Sequence, residues 1–325
     1  MMRTRQRTWA LVLAAGSGTR LAALTTDARG NAVPKQFCSL TGDRSLLDEA
    51  IRRARAIAPR ERTCVIVAEQ HRRYWRNTLW SVPSGNVIVQ PDNRGTANGI
   101  LLAVLRILEN DPLARIVFLP ADHYVREERI LANILREAAT HLTRNPRELL
   151  LVGIEPEEAD PELGYIEPGT QLVDGTRAVA RFIEKPDLAL AHSLVREGAV
   201  WNSFIFAANG PALLGMLRER MPETVDAMAT ALARDMRAGA RGRALIELYD
   251  SLPNVDFSRE IVQGAEGALR VITAPACGWS DLGTPKRVAE TLRRLDPAVP
   301  LVPAISAAPA SINLAAQYAR LQLTG

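Results

Sequence analysis

Leu11 to Arg20 reads LVLAAGSGTR, and the fold class depends on how this stretch is understood. An apolar run from Trp9 to Ala15 stops at a Gly-Ser-Gly turn, and Thr19 and Arg20 follow at once. This is the pattern of a buried strand that delivers the chain into a loop whose backbone can approach a ligand closely. Gly16 and Gly18 have no side chain in the way and tolerate positive φ. The N–H groups of such a loop form an anion cradle, and the Arg20 guanidinium can fork onto phosphate oxygens. A dinucleotide fingerprint would need a third glycine where Leu21 stands, and a Walker A loop would need Gly-Lys-Ser/Thr. Two readings remain: a nucleotide loop that borrows its lysine from Pro34-Lys35-Gln36-Phe37, and an ordinary strand-turn with a surface arginine.

Outward from this loop, apolar runs alternate with helical periodicity. Ser45 to Ala58 places Leu46, Leu47, Ala50, Ile51, Ala54 and Ile57 on one helical face, with Ser45 and Asp48 as a cap signal and Pro59 as a stop. Strands are expected at 63–68, 86–90, 115–120 and 149–154, and helices at 70–79, 96–108 and 128–142. This βαβα order predicts an α/β fold with a mostly parallel sheet and helices on both faces. Ligands of such sheets sit beyond the carboxyl ends of the strands. Gly16, Gln90 and Asp122 all stand at or just past such ends, which predicts one shared crevice. After Glu155 the pattern becomes more antiparallel, with strands at 164–168, 177–185, 203–208 and 269–274. Helices are expected at 187–197, 211–220, 223–237 and 284–295, the last with Pro285 at its first position. Residues 1–295 read as one catalytic domain. Residues 296–325 read as a Pro/Ala-rich tail, ending in a weak helix near 311–321, that packs on the body or on a second subunit.

Composition narrows the function classes. The chain has 325 residues and is 47% hydrophobic, enough for a sizeable core rather than a disordered chain. The net charge is only +4 and the arginines are scattered, which suits anionic ligands and argues against a nucleic-acid partner. Cys38, Cys64 and Cys277 are far apart and form no disulfide framework or metal pair. No run reaches a membrane span. Arg3, Arg5 and Arg7 before an apolar run mimic a signal peptide. Cleavage there would remove the first strand and open the glycine loop, so a cytoplasmic chain is expected.

Several residues carry chemistry. Asp122 ends the run Leu119-Pro120-Ala121-Asp122-His123, and Asp281 lies in Gly278-Trp279-Ser280-Asp281-Leu282-Gly283. Two carboxylates with phosphate oxygens and water suit Mg2+; taken singly, each reads as a cap or turn. His123 reads as a hydrogen-bonded structural imidazole. Glu184 and Lys185 close a strand, where they suit sugar hydroxyls and a phosphate, or a solvated ion pair. Asn202 offers an amide that both donates and accepts. No serine or cysteine sits in a nucleophile setting.

Taken together, these segments resemble the sugar-1-phosphate nucleotidylyltransferases, and most of all the mannose-1-phosphate guanylyltransferases. The motifs are LAAGSGTRL (13–21), PKQF (34–37), QPDNRGTANGILLA (90–103), LPADH (119–123), GYIEPG (164–169), FIEKP (182–186), WNSFIF (201–206) and WSDLGT (279–284). They occur in the family's order across roughly residues 9 to 290. The resemblance implies a Rossmann-like nucleotide-diphospho-sugar transferase fold with a mixed central sheet. It assigns Ala14, Ala15, Gly16, Ser17, Gly18, Thr19 and Arg20, with Lys35, to the nucleotide's phosphates, and Gln90, Arg94, Gly95 and Thr96 to the base. It assigns Asp122 and Asp281 to Mg2+, and Gly164, Glu184, Lys185 and Asn202 to the sugar phosphate. Arg20, Lys35, Asp122, Lys185 and Asp281 form the implied catalytic set. The implied reaction moves GMP from GTP to α-D-mannose 1-phosphate and releases pyrophosphate.

This chain departs from the family where Ala22-Ala23-Leu24 replaces Trp-Pro-Leu and Asn98-Gly99 replaces Pro-Ala. The cupin-like isomerase domain of bifunctional relatives has no counterpart, so no isomerase activity is expected. Two alternatives stay open: the same chemistry with another base or sugar (thymidylyl or uridylyl transfer to glucose 1-phosphate), and a non-catalytic sugar-nucleotide binder that regulates a partner. A homodimer is the expected assembly.

Overall fold

The first strand already shows why the sheet is covered on both sides. In the computed structural model, which describes residues 7–238, 242–295 and 312–323, strand β1 (Thr8–Leu13) sends Ala10 and Val12 into one core. Its alternate residues Trp9 and Leu11 go into the other. Helix α1 (Leu46–Arg55) follows, with a reciprocal cap: Asp48 N–H donates to Ser45 Oγ and Ser45 N–H to the Asp48 carboxylate. Next come β2 (Thr63–Ala68), β3 (Val87–Gln90), α2 (Thr96–Asn110), β4 (Arg115–Pro120), α3 (Glu128–Arg144) and β5 (Leu149–Ile154). Then follow β6 (Tyr165–Gln171), β7 (Arg177–Ile183), α4 (Leu188–Arg196), β8 (Val200–Asn209), α5 (Gly210–Arg220) and α6 (Pro222–Ala238). The remaining elements are α7 (Arg243–Ser251), β9 (Leu269–Ala274), α8 (Pro285–Leu295) and α9 (Leu314–Leu323).

The strands form one sheet in the order β3-β2-β1-β4-β8-β5-β9-β7-β6, with β6 also meeting β8. β1 to β4 are mutually parallel, as are β5 and β9. β8 runs antiparallel to both β4 and β5, and β6 and β7 close the far edge as an antiparallel pair. Helices α1, α3, α4 and α8 bury their apolar residues on one face. Helices α2, α5, α6 and α7 cover the other. The expected α/β fold, with a mixed, mostly parallel sheet and helices on both faces, is therefore found.

Some boundaries move. Residues 70–79 do not form one helix; Glu69–His71 and Leu79–Ser81 are 3-10 turns flanking a short helix, Arg72–Trp75. The Trp75 indole turns inward and donates to the Ala68 carbonyl, which ties this segment to the end of β2. Helix α1 stops at Arg55, before Pro59. β8 starts at Val200, three residues before the expected Ser203, so Trp201 and Asn202 lie within a strand. Helix α7 and a single π-helical turn, Phe257–Val262, fill a region where no element is expected from sequence. The three cysteines are free and buried, and burial pushes the Cys38 and Cys64 thiols up to about 12. Among the described residues no helix is long and apolar enough to cross a membrane. The proline-bearing part of the tail, 296–311, and the arginines at 3 and 5 lie outside the described residues.

Candidate active site

The carboxyl ends of β1, β3 and β4 and the start of β8 open on one cleft of about 310 Å3. Gly16, Gly18, Arg20, Gln90, Gly95, Thr96, Asp122, Gly164, Glu184, Lys185, Asn202 and Asp281 all line it. The crevice expected from strand ends therefore exists, and residues from distant stretches of the chain meet in it.

The glycine loop is secured from below. Gln36 Nε2 donates to the carbonyls of Ala14 (2.9 Å) and Gly16 (2.8 Å). Of the two glycines only Gly18 has positive φ (+63°), and a Cβ there would lie 2.9 Å from Lys35 N. Gly16 is exposed and has open space around its Cα. Arg20 is half exposed and reaches Glu162 Oε2 at 3.1 Å, spanning the cleft mouth.

Lys35 stands beneath the cleft rather than free within it. Its side chain is 6% exposed, and Nζ meets Asp122 Oδ2 at 3.0 Å. Nζ also donates to the backbone carbonyls of Asp281 and Leu282. One buried ammonium thus ties the glycine-loop neighbourhood to both aspartates. Asp281 Oδ1 accepts from Gly283 N–H and from Arg287, which also pairs with Asp160. The Arg287 guanidinium sits over the Trp201 ring at 5.2 Å. Burial raises both aspartates, but cations win and each is held below its ordinary value, Asp122 by Lys35 and Asp281 chiefly by Arg287. His123 Nδ1 accepts from Trp279 Nε1–H at 3.2 Å. Burial drives its pKa down to about 4 despite Asp122, so the ring is neutral near pH 7 with its proton on Nε2.

Among the described residues, no three carboxylate, imidazole or thiol groups converge as an all-protein metal cage. Two ionised carboxylates on one cleft fit Mg2+, which takes one or two carboxylates and completes its shell with phosphate oxygens and water.

The opposite wall carries the groups expected for a sugar phosphate. A Cβ on Gly164 would lie 2.6 Å from Glu184 Oε2 and 3.3 Å from Asn202 Cβ, so only glycine lets these side chains stack here. Asn202 N–H donates to the Gly164 carbonyl, and Asn202 Oδ1 accepts from Phe204 N–H. Lys185 and Phe204 take positive φ, 48° and 56°, at this wall. Burial, and then the Asp256 carboxylate, push Glu184 up to about 7 against Lys185, Arg259 and Ser258. A carboxyl raised on folding binds protons better in the native state. Its stabilisation is full below its unfolded pKa and is lost as pH rises through about 7. Urea unfolding between about pH 5 and 8 should show the wild-type chain weakening relative to Glu184→Gln; parallel stability curves would contradict this.

The wall around Gln90, Gly95 and Thr96 is stitched to a segment absent from the sequence expectations. Ala97 N–H donates to the Val255 carbonyl, Val255 N–H to the Arg94 carbonyl, and Phe257 N–H to Thr96 Oγ1. Asn98, fully buried, donates from Nδ2 to the carbonyls of Arg94 and Pro253. The Arg94 side chain pairs with Asp92 and is not among the groups lining the cleft. Gln90 is buried, its Oε1 has no partner among the described residues, and a Cβ on Gly99 would stand 2.8 Å from that oxygen. At Gly95, φ is +87° and a Cβ would lie 2.3 Å from the Val255 carbonyl. Gly95→Ala should therefore cost roughly 1–3 kcal/mol and displace this segment. Thermal unfolding and nucleotide KM would register both effects, and an unshifted melting point would refute the first.

Gln36, Asn93, Glu162, Phe204, Asp256 and Ser258 also line the cleft, and Arg287 backs it. Of these, Gln36, Asn93 and Phe204 fall within the PKQF, QPDNRGTANGILLA and WNSFIF motifs, whereas Glu162, Asp256, Ser258 and Arg287 carry no sequence signal.

The chain belongs to the nucleotidyl transferase family, whose profile matches residues 9–296. Among individual proteins, it is 30% identical over 281 residues to the mannose-1-phosphate guanylyltransferase RfbM of Salmonella typhimurium, covering 84% of this chain and 56% of RfbM. It is 30% identical over 279 residues to the xanthan biosynthesis protein XanB of Xanthomonas campestris, covering 84% of this chain and 57% of XanB. The chain thus spans a little over half the length of these curated relatives. A solved structure described as mannose-1-phosphate geranyltransferase from Thermus thermophilus superposes with TM-score 0.73 at 28% identity, covering 88% of this chain and 79% of that one. A UDP-glucose pyrophosphorylase structure with bound UDP-glucose shares the fold at TM-score 0.57 and 14% identity, covering 89% of this chain and 98% of that one.

Proposed function

We propose that the chain transfers GMP from GTP to α-D-mannose 1-phosphate, giving GDP-mannose and pyrophosphate. The observation that carries this reading is the single cleft in which the glycine loop, the Lys35-tethered Asp122 and Asp281, and the Glu184-Lys185-Asn202 wall face one another. The guanine and mannose assignment rests on the relatives named for mannose 1-phosphate.

In this reading the loop N–H groups and Arg20 receive the triphosphate, and Arg20 leaves Glu162 to do so. Lys185 and Asn202 orient the sugar phosphate, and Glu184 accepts from ring hydroxyls. A phosphate oxygen of the sugar then attacks the α-phosphorus in line, and pyrophosphate departs on the opposite side. Mg2+ held by Asp122 and Asp281 would supply further positive charge at the phosphate oxygens. The attacking phosphate is already ionised, so the residues contribute positioning and charge neutralisation rather than a general base. Each opposed charge pair at ~4 Å is worth about 4 kcal/mol at an effective dielectric near 20.

A second reading keeps the chemistry and changes the base. It rests on Gln90, whose Oε1 occupies the space a Cβ at position 99 would need and has no partner among the described residues, so this acceptor is open to another base edge. Pyrophosphate release with mannose 1-phosphate and each nucleoside triphosphate decides between the two. Release with GTP alone, lost on chelation, supports the first reading. Preferred turnover of UTP or dTTP overturns it, and no release with any substrate pair returns the chain to a binding role.

A further inference from the structure

The segment beyond the family match reaches back to the loop that carries Lys35. Ser39 N–H donates to the Ile312 carbonyl and Leu314 N–H to the Ser39 carbonyl, each at 2.8 Å, and Ala315 N–H donates to the Leu40 carbonyl at 3.2 Å. These bonds form a parallel bridge between Ser39 and Asn313. Ile312 and Leu314 are buried in the same core as Phe37, Cys38 and Leu40. Asn313 does two things at once. Its Oδ1 accepts from Ala316 N–H and caps helix α9, while its Nδ2 donates to the Thr41 carbonyl at 3.1 Å. Helix α9 also packs on the short helix Ala22–Thr25, which follows Arg20.

We propose that residues 312–323 are a clamp on the catalytic loop, with Asn313 as a positioning residue for Lys35 and the glycine loop. The physical reason is the short path. The clamped residues 39–41 lie four to six positions after Lys35, and Gln36 in the same turn secures the Ala14 and Gly16 carbonyls. Play at Ser39 is therefore passed to the ammonium under both aspartates and to the phosphate cradle. Small misplacements of this kind are costly to catalysis even when the altered residue is remote from the chemistry. The proposal rests on the transferase reading for what Lys35 does, but not for the clamp itself.

Asn313→Asp in the full chain is the decisive variant, because it retains the Oδ cap on Ala316 and replaces the donor to Thr41 with a carboxylate oxygen that faces that carbonyl. A capping role alone predicts wild-type behaviour. The clamp predicts a fall of about tenfold in kcat/KM for the nucleotide and faster deuterium uptake across residues 35–42. Ala315→Pro removes the bond to Leu40 within the first helical turn, where proline is tolerated, and should act in the same direction. Wild-type uptake at 35–42 in both variants overturns the clamp. That measurement stands even if the chain turns over no nucleotide, so the two readings fail separately.

Discussion

Lys35→Met is expected to lower turnover by roughly 10²–10³-fold and to destabilise the chain by about 2–3 kcal/mol. The two losses have one origin. Among the described residues the ammonium is the one charged partner of Asp122, and it is also a donor for the carbonyls of Asp281 and Leu282. A thioether of similar length fills the space but leaves a carboxylate unneutralised and two carbonyl oxygens short of a donor. Pyrophosphate release and urea unfolding on the same preparation test both halves. Full activity with a normal unfolding midpoint would remove Lys35 from the centre of the site.

Asp122→Asn is expected to lower activity by ~10³-fold and, because it leaves the buried Lys35 ammonium without its carboxylate partner, to weaken folding as well. A carboxamide oxygen can still accept from Lys35, but it does not neutralise an ammonium whose side chain is 6% exposed. What the amide cannot supply is negative charge for a divalent ion, so the loss should not be recovered by added Mg2+. Asp281→Asn should act in the same direction. It leaves Arg287 with Asp160 as its remaining carboxylate partner inside a buried network and so should weaken folding as well. An active Asp122→Asn enzyme would overturn the placement of the metal.

Much of this arrangement is legible in the chain because local rules act unopposed. The TCVIVA and LLLVGI strands, the Ser45–Asp48 cap and Pro285 at a helix start follow directly from pattern and cap chemistry. The glycine loop, Gln90, Asp122, Glu184 and Asp281 are legible because strand ends and short motifs mark them. Three kinds of feature are not. Arg72–Trp75 is a broken helix because an indole hydrogen bond outweighs helical propensity. The Arg287 bridge joins residues 127 positions apart, and no local pattern encodes that. Asp256 and Ser258 enter the cleft on a π-helical turn whose residues carry neither the strand nor the regular helix period.

The reversal of β8 between β4 and β5 also bears on how the molecule is made. β1 to β4 can assemble from consecutive crossovers as they leave the ribosome, whereas β4 keeps an unpaired edge until residues 206–209 arrive. That edge is apolar and long enough to pair with another chain. The nascent first half is therefore expected to be the aggregation-prone stage, and β8 the element that ends it. The glycine loop can be shaped before β8 arrives, but the wall at Asn202 cannot, and the contact with Ile312 comes last of all. Translation thus builds the cleft from its glycine-loop wall toward its Asn202 wall.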